Sequence, residues 1–203
     1  MIGVIDYGAS NLHSVRNALK HLGVESQVLT APEQMAAVEA LILPGVGAFG
    51  AGMAALRASG FEEPIRAQVA AGVPLLGICL GMQFLYESSE EMGEHRGLGL
   101  LPGRVVRFTE GNGLKIPHMG WNALHPVQES PLLAGVPDGG YAYFVHSYYV
   151  EPADEGDVLA RTDYGLSFPS VVGRGKVFGV QFHPEKSQSV GLQILRNFAE
   201  MVK

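Results

Sequence analysis

From Ile2 to Glu87 short apolar runs alternate with stretches whose apolar residues recur at helical spacing, and no other feature of this sequence restricts the fold as much. Ile2 to Asp6 is followed by Asn11 to His21, where Leu12, Val15, Leu19 and Leu22 share one helical face. Gln27 to Leu29 and Ala40 to Leu43 are further strand candidates, Met53 to Ala58 and Glu63 to Ala71 read as helical, and Val73 to Ile78 is a fourth strand. Met82 to Glu87 is expected to continue as helix. Strands alternating with helices predict an α/β fold: a mostly parallel central sheet with helices on both faces.

After about residue 98 the pattern changes to alternating β segments punctuated by turns: Arg104 to Phe108, Gly111-Asn-Gly113, Tyr141 to Val150, Val158 to Thr162, and Val171 to Phe182 around Gly173-Arg-Gly175. This predicts antiparallel β elaboration of the same sheet in the C-terminal half. Ser189 is the expected N-cap of a last helix carrying Val190, Ile194, Leu195 and Phe198 as its apolar stripe. No linker or repeat interrupts the chain, so residues 1–203 are expected to form a single domain.

Composition limits the functions open to such a domain. With 203 residues, 47% hydrophobic and 17% charged, the chain can bury one sizeable core. A net charge of -6 and the lack of a Lys/Arg cluster argue against nucleic acid as a partner. The apolar runs fall far short of the roughly 20 residues of a membrane span, and the start lacks the layout of a signal peptide. A cytoplasmic location is therefore expected.

The single cysteine is the first candidate for chemistry. Gly77-Ile-Cys79-Leu-Gly81 follows a buried strand and precedes a helix, the setting of a nucleophile elbow. There the side chain is pushed out at the carboxyl edge of the sheet, and the following helix offers free N–H groups and partial positive charge to a thiolate. The bland alternative is a buried core cysteine, the commonest fate of a lone one.

A thiol nucleophile needs a base, and Phe182-His183-Pro184-Glu185 supplies the best placed one. On a strand, His183 and Glu185 would project to the same side, so the carboxylate could hold one ring nitrogen while the other faces Cys79. A strand-end histidine beside a solvated glutamate is the alternative. No histidine pair has helical metal-ligand spacing with a third ligand nearby, so neither a metal nor any other cofactor is expected.

Gly45-Val-Gly47-Ala-Phe-Gly50 formally matches a dinucleotide-binding loop. The ribose-binding acid expected some 20 residues on is missing, and the elbow cysteine ends the next strand instead. Loops at neighbouring parallel strand ends converge, so Val46 and Gly47 are better read as offering a backbone N–H to an oxyanion beside Cys79.

Together, Gly77-Ile-Cys79-Leu-Gly-Met-Gln83 and His183-Pro-Glu185 resemble the class I, triad-type glutamine amidotransferases over essentially the whole chain. Asp6-Tyr-Gly8, Pro44-Gly-Val-Gly47, Pro117-His-Met-Gly-Trp-Asn122, Tyr143-Phe-Val-His146 and His183-Pro-Glu-Lys-Ser187 are similar to one branch of them, the glutaminase subunits of imidazole glycerol phosphate synthase. Ser10 departs from the glycine expected in the opening loop.

The resemblance implies hydrolysis of L-glutamine to L-glutamate and ammonia by Cys79, His183 and Glu185, with Leu80, Val46 and Gly47 at the oxyanion hole. Gln83, Ser147 and Tyr148 would surround the substrate. The ammonia would pass, within a heterodimer, to a (β/α)8-barrel cyclase that makes imidazole glycerol phosphate and AICAR in histidine biosynthesis. Met119, Trp121, Tyr143 and Lys186 are the candidate partner-facing residues, with core packing as their alternative. The rival readings are a cysteine hydrolase acting alone, such as a peptidase or γ-glutamyl hydrolase, and a binding module that has lost its chemistry.

Overall fold

The computed structural model describes residues 1–8, 11–109 and 114–202. The Ser10 departure and the turn expected at Gly111-Asn-Gly113 lie outside the described residues.

The alternating first half forms β1 (Ile2–Ile5), α1 (Leu12–His21), β2 (Ser26–Leu29), β3 (Ala40–Gly45), α2 (Phe49–Ala58), α3 (Glu62–Ala70) and β4 (Leu75–Cys79). The four strands run parallel in the order β2-β1-β3-β4. Apolar residues on both faces of each strand explain why both faces are covered. Ile2, Val4, Ile42, Leu76 and Ile78 pack with Val15 and Leu19 of α1, whereas Ile5, Leu41, Leu43 and Leu75 pack with Met53, Leu56 and Ile65 of α2 and α3.

Two expectations need correction beyond β4. The helix read over residues 82–87 is a single short α4 (Leu80–Phe84), and the chain re-enters extended structure at β5 (Tyr86–Ser89). Leu85 N donates to Met82 O and Leu98 N to Phe84 O, so the end of α4 is pinned to the segment before β7 (Leu101–Arg107) rather than prolonged. Nor does all the late β structure extend one sheet. β5, β6 (His95–Arg96), β7 and β10 (Tyr148–Pro152) form a separate four-stranded sheet in the order β10-β7-β5-β6. Val105 and Val150 of that sheet pack on the face that also holds α2 and α3.

The remaining strands are β8 (His118–Pro126), β9 (Gly140–His146), β11 (Val158–Asp163), β12 (Ser167–Arg174) and β13 (Val177–Val180). They complete a nine-stranded sheet, β2-β1-β3-β4-β13-β12-β11-β8-β9, in which β13 lies parallel to β4 and the pairs beyond it are antiparallel. The last helix, α5 (Gln188–Glu200), starts at Ser187 rather than at Ser189, because Ser187 ends a 3-10 turn over Pro184–Lys186. Ile194, Leu195 and Phe198 bury its apolar stripe on the α1 side of the sheet.

Candidate active site

Cys79 ends β4 with φ 56° and ψ −111°, in the positive-φ region that an L-residue other than Gly, Asn or Asp seldom occupies. Close packing of α4 against the sheet explains the flanking glycines. A Cβ on Gly81 would lie 1.8 Å from the Leu43 carbonyl oxygen, and one on Gly77 would meet the Gly81 carbonyl oxygen at 2.5 Å. The glycines therefore serve helix-on-strand approach, and the backbone reversal falls on Cys79 itself. With five residues, α4 carries less dipole than a longer helix would, but its first peptide N–H groups still have no intrahelical acceptor.

The neighbouring loop arrives as the sequence suggested. Gly45 pairs with Cys79 across β3 and β4, so Val46 and Gly47 emerge directly beside the elbow. Gly47 adopts φ 94° and Val46 is 41% exposed. Gly45 is itself wedged, since a Cβ there would sit 2.8 Å from Gly81 N and 2.9 Å from the Tyr7 hydroxyl. Burial, with Cys79 charge second, raises the Tyr7 phenol.

His183 lies beyond the end of β13 and caps the 3-10 turn Pro184–Lys186, so strand alternation is not what aligns it with Glu185. The turn brings Glu185 Oε1 to 2.9 Å from His183 Nδ1, with both side chains buried. That leaves Nε2 for the thiol. Burial alone would lower the imidazole pKa, yet hydrogen bonds to Cys79 and Glu185 and the charges of both carry it up to about 10. His183 thus lies between Glu185 and Cys79, and both partners favour its charged form.

Several supports were not legible as such in the sequence. His183 N donates to Tyr143 O at 2.9 Å, and Ser187 Oγ donates to His183 O while accepting from Tyr143 N. The histidine backbone is thereby riveted to β9. Asn11 Nδ2 donates to Glu185 Oε1 at 3.4 Å, and Gln181 Nε2 lies 4.0 Å from Cys79 Sγ.

Cys79, Leu80, Val46, Gly47, Gln83, Ser147, Tyr148 and His183 converge on one cavity of about 320 Å³. Glu91 is the single carboxylate among the described lining residues, and its Oε2 accepts from Phe49 N at the start of α2. Gln83 Nε2 donates to Tyr148 O and to Gln181 Oε1, each at 3.1 Å.

The four residues singled out as partner-facing lie apart from that cavity. Met119 is 63% and Trp121 46% exposed on β8, and Tyr143 opposite Trp121 on β9 is half-buried, its ring 6.0 Å from the indole. Lys186 Nζ sits 5.9 Å over the Tyr143 ring. These residues form an exposed aromatic patch, which removes the core-packing alternative for Trp121 and Met119. Among the described residues no group of three or more His, Cys, Asp or Glu side chains could hold a metal ion, and no helix is long and apolar enough to cross a membrane.

Similarity to known proteins extends over nearly the whole chain. The chain is 55% identical over 202 residues to "Imidazole glycerol phosphate synthase subunit HisH" of Desulfitobacterium hafniense (strain Y51), covering 100% of this chain and 95% of that protein. It is 53% identical to the protein of that name from Bacillus subtilis (strain 168), covering 99% and 96%. A solved structure titled "Crystal structure of glutamine amidotransferase" superposes with a TM-score of 0.77 at 27% identity, over 99% of this chain and 98% of that one. "Structure of PurLQS from Thermotoga maritima", at 22% identity and a TM-score of 0.79, over 100% and 98%, shows the fold alone. With residues 3–202 also matching the family model "Glutamine amidotransferase class-I", the chain belongs to the class-I glutamine amidotransferases.

Proposed function

We propose that residues 1–203 form one amidotransferase domain, the glutaminase subunit of an imidazole glycerol phosphate synthase acting in the cytoplasm. It hydrolyses L-glutamine to L-glutamate and ammonia and supplies the ammonia to a (β/α)8-barrel cyclase subunit in a heterodimer. The observation that carries the chemistry is the buried Cys79, His183 and Glu185 constellation opening onto the cavity; identity of 53–55% over the chain to the HisH subunits supports the partner.

In this reading the Cys79 thiolate attacks the side-chain carboxamide carbon of glutamine, forming a C–S bond and an oxyanion. The oxyanion is received by backbone N–H groups of Leu80 and of the Val46–Gly47 segment. His183 Nε2 gives its proton to the departing nitrogen as the C–N bond breaks, releasing ammonia and leaving a γ-glutamyl thioester. The now neutral His183 takes a proton from water, the hydroxide adds to the thioester carbon, and loss of the thiolate restores the ion pair and frees the γ-carboxylic acid, which gives its proton to solvent as glutamate. Glu185 keeps Nδ1 protonated and stabilises the imidazolium in both halves of the cycle.

Pocket chemistry favours an amino-acid substrate. Glu91 can receive an α-ammonium group, and the Ser147–Tyr148 backbone can meet the α-carboxylate. Glycines on both sides of Val46 allow its peptide to reorient at low cost, so an N–H turned away from Cys79 would leave the isolated subunit nearly silent. Met119, Trp121, Tyr143 and Lys186 are assigned to the cyclase interface, where exposed aromatic and Met side chains commonly supply the anchoring area.

Glutamate release by the purified chain, alone and with a barrel cyclase and its nucleotide substrate, tests the reading. Activity that rises strongly in the complex and vanishes in Cys79→Ala is the expected result. Hydrolysis of peptides instead would favour the stand-alone hydrolase, and no turnover under any condition the binding module. Equal rates alone and in the complex would discard the reorienting Val46 peptide.

A further inference from the structure

Two buried histidines have no part in the chemistry above: His146, which lines the cavity, and its neighbour His118. Register places His118 of β8 directly opposite His146 of β9, and the ring nitrogens His118 Nδ1 and His146 Nε2 are 2.9 Å apart. His146 Nδ1 lies 2.8 Å from Tyr148 O. His118 Nε2 lies 3.3 Å from Asn122 Nδ2.

Proton positions along this chain follow from chemistry. Asn122 is oriented by Asp163 O, which can only accept from its Nδ2, and by Ala123 N, which can only donate to its Oδ1. Tyr148 O accepts only, so His146 Nδ1 carries the proton and its Nε2 accepts. His118 Nδ1 must then donate to His146, and His118 Nε2 accepts from Asn122. Every bond points the same way, from Asn122 through two neutral rings to the Tyr148 carbonyl.

The surroundings keep those rings neutral. His118 is stacked between Tyr164 at 3.9 Å and Phe144 at 4.9 Å, and Phe108 and Phe168 pack on both imidazoles. Burial pushes His118 down to about 4 and His146 to about 3.

The end of this chain of bonds matters for function. At Ser147 the polypeptide leaves the nine-stranded sheet and enters the four-stranded one, and both residues of that crossing, Ser147 and Tyr148, line the cavity. Phe108 N holds the Ser147 carbonyl. The Tyr148 carbonyl is held by His146 and in turn receives Gln83 Nε2. With the two amide protons of Gln83 committed to Tyr148 and Gln181, its Oε1 is the atom left for a donor on the ligand.

We infer that His146, fixed as its Nδ1–H tautomer by His118, is a positioning residue for glutamine: through the Tyr148 carbonyl it sets both the Ser147–Tyr148 segment and Gln83. The role rests on the glutaminase reading. It predicts an effect on substrate capture rather than on the thiol, because His146 reaches Gln83 and the crossing peptide, whereas Cys79 is served by His183.

Two near-isosteric variants discriminate, assayed in the complex with the cyclase and its nucleotide. His146→Asn keeps a donor where Nδ1 stood, while His146→Gln puts its amide where Nε2 stood and leaves Gln83 Nε2 as the donor on the Tyr148 carbonyl. Losing one of the two hydrogen bonds on that carbonyl should raise KM for glutamine about fivefold in His146→Gln, with kcat changed little and His146→Asn close to the unaltered enzyme. Iodoacetamide should alkylate Cys79 at an unchanged rate in both, whereas a glutamine-shaped diazoketone should react more slowly with His146→Gln alone. Nitrogen-15 NMR at neutral pH should show both rings as Nδ1–H tautomers. Equal KM values for the two variants, or Nε2–H tautomers, overturn the proposal. If the unaltered complex releases no glutamate, the glutaminase reading itself has failed, and the tautomer spectrum still judges the hydrogen-bond chain.

Discussion

The two walls of the cavity each bury histidine, and they treat it in opposite ways. On the elbow wall, Glu185 and Cys79 flank His183 and hold it charged, up to about 10. On the β8–β9 wall, aromatic rings and a carbonyl surround His118 and His146 and keep them neutral, at about 4 and about 3. Desolvation acts on all three in the same direction, so the difference lies in the partners: Glu185 and Cys79 raise His183, whereas the pair has uncharged hydrogen-bond partners and the charge of His183 lowers His146 further. A side chain that must shuttle protons gains from charge partners, and one that must hold a peptide still gains from a fixed tautomer.

Removing the anion on the elbow wall tests this contrast most severely. Cys79→Ala should lower glutaminase turnover by about 10⁴-fold or more, as expected for loss of a nucleophile. In the same variant His183 should titrate well below 10, because burial then opposes charging with Glu185 alone to offset it. The sign follows from linkage: a histidine raised above its unfolded value of about 6.5 contributes stability below that pH and loses it as pH rises toward 10. Histidine NMR titration reads the shift, and a His183 value unmoved by the substitution would break the ion-pair account.

Glu185→Gln probes the other anion. An amide can still bond Nδ1 but offers no charge, so turnover should fall on the order of 10²-fold, within the range for impaired general acid–base catalysis. His183 should drop in pKa while His118 keeps its own and His146, which the His183 charge lowers, moves up if at all. A matching fall on both walls would break the contrast, since less charge on His183 relieves His146.

The outer side of the β8–β9 wall carries a third, smaller effect. Trp121 is 46% exposed and touches Tyr143, so Trp121→Ala should leave the fold intact. It should weaken cyclase binding by about 2 kcal/mol, close to 30-fold, if the indole is an anchoring contact. Calorimetric titration against the barrel subunit measures it, and unchanged affinity removes Trp121 from the interface.

Local chemistry explains what was legible before the fold was known. The elbow was readable because a strand, a cysteine and a helix start are contiguous, and His183 with Glu185 because they are two residues apart. The second sheet was not, since Tyr86–Ser89 carries no strong strand pattern and is fixed by pairing with residues 101–105. The His118–His146 contact spans 28 residues and depends on strand register, which periodicity does not supply. Gln181 and Ser187 look like ordinary polar residues until tertiary structure brings them to Cys79 and His183.

Asn11 offers the finest test of the contrast between the walls. Its Nδ2 reaches Glu185 Oε1 at 3.4 Å, a long hydrogen bond, and the other carboxylate oxygen, Oε2, is buried without a protein partner among the described residues. Asn11 is therefore a minor donor beside the 2.9 Å contact from His183 Nδ1. Asn11→Ala should cost only about threefold in kcat, below the roughly 1 kcal/mol of an average hydrogen bond, with KM unchanged because nothing on the β8–β9 wall moves. A loss as large as that of Glu185→Gln would show instead that the orientation of the carboxylate, and not its charge, is what separates His183 from the neutral pair across the cavity.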